Sequence, residues 1–103
     1  MNLYFLILVL LSFTSVRAQI KWVNNFNNNG QWAMGCDWPG NDLSSLNTPV
    51  ENCGQACAAT LGCTKFTWLS DGTCLLKSGS ASISSAVVSK DPNSFCSSVA
   101  SEF

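Results

Sequence analysis

The chain has 103 residues, 47% hydrophobic and only 11% charged, with five Lys or Arg against six Asp or Glu, six cysteines and no histidine. A chain this close to neutral has no basic stripe to neutralise phosphates and no cationic cluster to hold an anionic membrane, so nucleic acid is excluded as a partner. The lack of histidine removes the commonest general base and a frequent zinc ligand.

From Asn2 to Val16 the only polar residues are Asn2, Tyr4, Ser12, Thr14 and Ser15. The run falls short of the ~20 apolar residues that span a bilayer. It matches a secretory signal peptide, residues 1–18, cleaved after Val16-Arg17-Ala18 and before Gln19. Removal would leave residues 19–103, enough for one small domain, with no stable membrane insertion. In that part Lys21, Lys65, Lys77 and Lys90 face Asp37, Asp42, Glu51, Asp71, Asp91 and Glu102, so the net charge is 4 − 6 = −2. A core of this size is marginal unless staples restrict the unfolded chain. All six cysteines lie after residue 35, and Cys53, Cys57 and Cys63 form no C-x-x-C pair, so the spacing favours disulfides over zinc. No N-glycosylation sequon occurs.

Ile20-Lys21-Trp22-Val23 reads as a short strand, broken by the Asn-rich residues 24–29 and Gly30. Gln31-Trp32-Ala33-Met34-Gly35-Cys36 resumes a strand, and Asp37-Trp38-Pro39-Gly40-Asn41-Asp42 follows as a turn, with Pro39-Gly40 suited to the central positions of type II. Thr48-Pro49-Val50-Glu51 has the form of a capping box with proline at the first helical position, and Gly62 stands at the far end, which predicts one helix over residues 49–61. Val50, Cys53, Cys57 and Leu61 recur at three- and four-residue spacing, so both cysteines share the apolar face.

Past Gly62 the period becomes two. Phe66 and Trp68 point to one side of a strand, Lys65 and Thr67 to the other. Asp71-Gly72 signals a hairpin into Thr73-Cys74-Leu75-Leu76-Lys77. Residues 78–85 read as a serine-rich loop, residues 86–89 as a strand, residues 90–94 as a turn and residues 95–99 as a closing strand. One helix among short antiparallel strands is an α+β domain.

Chemistry is sparse. Asp37 and Asp42 are the closest carboxylate pair, but they flank a proline turn whose amides they are suited to cap, and nothing supplies a base or free thiol, so no enzymatic activity and no cofactor are expected. The Asp/Asn density at 37–42 lacks the twelve-residue calcium-loop spacing, so no metal is expected. Low charge with many amides and hydroxyls suits a ligand recognised by neutral hydrogen bonds. Trp38 is the candidate stacking platform for a sugar, with Asp37, Asn41 and Asp42 engaging hydroxyls. The alternative places Trp38 against the sheet edge with Asp42 tying down the loop.

Cys36 with Asp37-Trp38-Pro39-Gly40-Asn41-Asp42-Leu43, a helix carrying Cys53 and Cys57, Gly62-Cys63-Thr64-Lys65-Phe66-Thr67-Trp68, Gly72-Thr73-Cys74-Leu75-Leu76-Lys77 and Cys96 together resemble the PAN/apple domain family, over roughly residues 32–99. Six cysteines allow 15 pairings; the resemblance implies Cys36–Cys96, Cys53–Cys74 and Cys57–Cys63. It also implies a curved antiparallel β-sheet cradling one α-helix, stapled by three disulfides, and a recognition module for carbohydrate or for another protein, of which a secreted carbohydrate-binding module is the first reading. The alternatives are a protein-interaction module with a receptor, protease or matrix partner, or a single-domain effector or inhibitor. An exposed Trp38 beside Asp37 and Asn41 would favour carbohydrate; a broader apolar patch would favour protein.

Overall fold

The computed structural model describes residues 19–24 and 30–99. The signal-like segment and most of the Asn-rich segment, residues 25–29, lie outside them. Strands β1 (Val23–Asn24), β2 (Gln31–Met34), β3 (Cys36–Asp37) and β4 (Asp42–Asn47) precede the helix α1 (Val50–Ala58). After it come β5 (Lys65–Trp68), β6 (Thr73–Lys77), a 3₁₀ turn at Ile83–Ser85, β7 (Val87–Val88) and β8 (Phe95–Ser98). Six strands form one antiparallel sheet in the order β1-β2-β8-β5-β6-β4, and β3 pairs with β7 in a separate two-stranded ribbon. This is the α+β architecture expected.

Gly35 creates the second layer. Its φ of 69°, in the left-handed region that favours glycine, turns the chain out of β2. Its amide donates to the Ser94 carbonyl at 2.8 Å and its carbonyl accepts from the Ser89 amide at 2.9 Å. β3 thereby leaves the sheet and crosses the face opposite the helix. The strand expected to run unbroken through Cys36 is divided there for this reason.

The two faces of the sheet carry separate cores. Register sets Phe66 opposite Leu76 and Trp68 opposite Cys74; this side packs on α1 through Cys53, Cys57 and Cys63. On the other side Ala33, Cys36, Trp38 and Cys96 form a second cluster, flanked by Ile20, Trp22 and Ala86. β5 is therefore buried on both faces, Lys65 and Thr67 included.

The disulfides are Cys36–Cys96, Cys53–Cys74 and Cys57–Cys63, the pairs that the resemblance implies. The first ties the ribbon to β8, the second ties α1 to β6, and the third closes the turn after α1. The helix is shorter than the predicted residues 49–61. Pro49 is its N-cap with no side-chain bond, so the capping box does not form. Thr48 instead takes part in the sheet side of the fold: its amide donates to the Gly72 carbonyl at 3.0 Å and its carbonyl accepts the Trp68 indole N–H at 2.8 Å. At the other end the Cys57–Cys63 bridge draws the chain into a turn after Ala58, where the Thr60 amide donates to the Cys57 carbonyl and the Cys63 amide to the Thr60 carbonyl, both at 3.0 Å.

Candidate functional site

The Asp37-to-Asp42 segment emerges from the ribbon and returns to the sheet edge through Gly40 and Asn41, at φ of 74° and 61°. Two consecutive left-handed residues make the reversal abrupt. They carry Trp38 inward and leave Pro39, Gly40, Asn41 and Asp42 exposed.

Trp38 is 0% exposed, which corrects its candidacy as a stacking platform. Its ring lies 5.4 Å from that of Trp22, the Lys65 ammonium sits 5.2 Å from its centroid, and its amide donates to the Thr67 hydroxyl at 3.2 Å. The physical reason is the second core: with β3 crossing the sheet, the largest apolar side chain of the segment fills the space over β5. The indole Nε1 is buried with no hydrogen-bond partner among the described residues.

The carboxylates are engaged in holding the turn. Asp37 accepts from the Thr67 hydroxyl at 2.8 Å. Asp42 pairs with the Lys77 ammonium at 2.5 Å, and the same ammonium donates to the Gly40 carbonyl at 3.2 Å. Lys65 opposes Lys77 in the ladder and donates to the Ser80 carbonyl at 2.6 Å. Burial, and then the neighbouring Lys77 charge, push the Lys65 pKa below its ordinary 10.5. The structure thus brings Asp37 and Trp38 together under the turn and leaves Asn41 and Asp42 on its rim; the four do not converge on one pocket.

The opposite face has a feature that sequence reading left undecided. α1 packs on β5 and β6, and among the described residues the β1-β2-β8 end of the same face is left open. Val23 pairs with Trp32 and Met34 with Phe95, which puts these four side chains on one side. Met34 is 50% and Val23 43% exposed, with Trp32 and Phe95 half-buried. Trp32 stacks on Phe95 at 5.2 Å between centroids, and Phe95 on Phe66 at 5.9 Å. The aromatic row therefore runs from the open end into the helix-side core, which fixes the exposed part in place. No charged side chain belongs to it. The signal was present in the alternation of Trp32 and Met34 about the buried Ala33, but which side α1 would leave bare required the helix position.

Among the described residues no helix is long and apolar enough to cross a membrane. The PAN domain family model matches residues 35–100. No curated protein and no solved structure matches the chain.

Proposed function

The chain belongs to the PAN domain family, whose members are interaction modules for protein or carbohydrate, and from that premise we propose that it is a secreted, non-catalytic module that binds an extracellular protein on the open helix-side face of its sheet. The observation that carries this reading is the uncharged patch of Val23, Trp32, Met34 and Phe95, braced by the Phe66 stack. Aromatic residues and Met are the types enriched at protein interfaces, and a rigid aromatic offers contact area at little entropic cost. The non-catalytic part of this reading is supported by Thr67 and Lys77, which hold Asp37 and Asp42, and by the cysteines, all of them in disulfides. Three disulfides in so small a domain support an oxidising, extracellular compartment.

Carbohydrate is the second reading. It is favoured by the exposed Asn41 and Asp42, held on a rigid turn beside the serine-rich loop: the Ser78 amide donates to the Asn41 carbonyl at 3.0 Å. It has lost the aromatic platform that Trp38 was expected to supply.

The two readings separate in one experiment. The full chain is expressed through a secretory host, and the oxidised product is presented as a tetramer to panels of extracellular ectodomains and of glycans, with Met34→Glu and Asn41→Ala in parallel. Saturable ectodomain binding that Met34→Glu abolishes and Asn41→Ala spares is the expected result. Selective glycan binding, lost in Asn41→Ala and intact in Met34→Glu, overturns it.

A further inference from the structure

The β4 edge of the sheet carries an inference independent of the recognition face. β4 pairs only with β6 among the described residues and ends the sheet order, and all six of its residues are exposed. In an antiparallel ladder alternate residues turn their N–H and C=O groups away from the neighbour, so this edge presents a row of them to solvent. The usual guards of an edge are scarce. Asp42–Asn47 contains no Lys, Arg or Pro; its one charge, Asp42, is paired with Lys77; its irregularity is confined to the Asp42/Ser44 end. At the other edge, β1 has only two residues.

Two leucines line the helix side of this edge. Leu46 stands opposite Cys74, which faces α1, and Leu43 lies against Gly62 in the turn after the helix. They are 38% and 45% exposed, respectively.

We propose that β4 is a self-association edge, joining the sheets of two copies of this chain across a two-fold axis through Ser45. Three observations favour a second copy over an unrelated strand. Pairing centred on Ser45 sets Ser45 opposite Ser45 and Ser44 opposite Leu46 of the other copy, residues that all belong to the regular part of β4. A two-fold perpendicular to the sheet keeps helix side with helix side, so the leucine rim of one copy continues into that of the other. The same operation sets the two Asp42 carboxylates six residues apart along the strands, about 20 Å at 3.4 Å per residue, well beyond the ~8 Å screening length at physiological salt. The interface is small, so the dimer is reversible and weak. On the recognition reading above, the two β1-β2-β8 patches then lie at opposite ends of one continuous sheet and face the same way, which gives a chain with one module the avidity of two.

Sedimentation equilibrium of the secreted, oxidised protein from micromolar to millimolar concentration tests the dimer without any ligand. The expected result is a shift from monomer to twice the monomer mass. Ser45→Lys, which sets like charges face to face, raises the dissociation constant about tenfold or more, with the far-UV circular dichroism unchanged. Amide exchange of Ser45, whose N–H faces away from β6 in this register, slows as wild-type concentration rises. A monomer throughout the range overturns the proposal, as does a dimer that Ser45→Lys leaves intact or that forms without slowing exchange in β4. Because no partner is present, none of these outcomes bears on the ectodomain reading.

Discussion

Replacing Trp38 tests whether this residue is a structural or a ligand-binding tryptophan. In the structure it is fully buried between Trp22, Lys65 and Thr67. Truncation to alanine removes the largest side chain of the ribbon-side core, and such truncations cost about 3–5 kcal/mol. That is a large share of the stability of a domain this size, about 5–10 kcal/mol. Trp38→Phe keeps a ring over Lys65 and against Trp22, and it deletes the indole N–H that has no partner among the described residues. An unmet buried donor costs about 1–3 kcal/mol, so its removal offsets part of the lost volume and the net loss falls to about 1–2 kcal/mol. Urea unfolding with the disulfides intact, followed by circular dichroism because tryptophan itself is altered, reads the difference directly. With a slope of about 1 kcal/mol/M, the midpoint falls by roughly 3 M or more for alanine and by about 1–2 M for phenylalanine. Equal losses for the two variants, or an alanine variant within about 1 kcal/mol of wild type, would refute the reasoning and return Trp38 to the surface.

The disulfides should rank by the loop each closes. With sequence separations of 60, 21 and 6, chain entropy assigns about 4, 3 and 2 kcal/mol to Cys36–Cys96, Cys53–Cys74 and Cys57–Cys63; paired Cys→Ala variants in urea melts check the order. Lys65→Met should be neutral or stabilising at pH 7, because it removes a buried charge whose only hydrogen bond among the described residues is to the exposed Ser80. A lysine whose folded pKa is depressed stabilises the fold more as pH rises toward the ordinary 10.5, so any advantage of Lys65→Met should shrink between neutral and alkaline pH. Asp91 accepts from the amide and hydroxyl of Ser70 and from the Asn93 amide, which hold its pKa below 3.8, the Ser70 amide foremost. A depressed carboxylate contributes above its unfolded pKa and stops contributing as pH falls through the folded one, so Asp91→Asn should be less stable than wild type at neutral pH and converge with it as pH falls below the ordinary 3.8.

The parts of the fold that were legible are those where local chemistry and tertiary packing agree. The Asp71-Gly72 hairpin forms, with the Gly72 amide donating to the Leu69 carbonyl at 2.9 Å, and β6 has the bounds its sequence predicts. α1 was visible in the spacing of Cys53 and Cys57. Its ends were not, because the cap chemistry at Thr48 lost to sheet contacts and a disulfide fixed the exit. β4 went unread since Asp-Leu-Ser-Ser-Leu-Asn has neither apolar alternation nor β-branched residues: an exposed edge strand is specified by its neighbour β6, not by its own sequence. Trp38 illustrates the same limit at the site. A tryptophan beside a polar turn suits display and burial equally well, and the choice was made by Gly35, three residues earlier, which bends β3 across the sheet.

Recognition on the β1-β2-β8 face leaves a footprint on that face. The most direct test is hydroxyl-radical footprinting of the oxidised protein, free and bound to the first ectodomain retained on the panel, with buried Trp38 as the internal reference. Oxidation of Met34 and Trp32 should fall on binding while that of Trp38 stays low and unchanged. Protection confined to the Asn41–Asp42 turn, with Met34 and Trp32 as reactive as in the free protein, would contradict it.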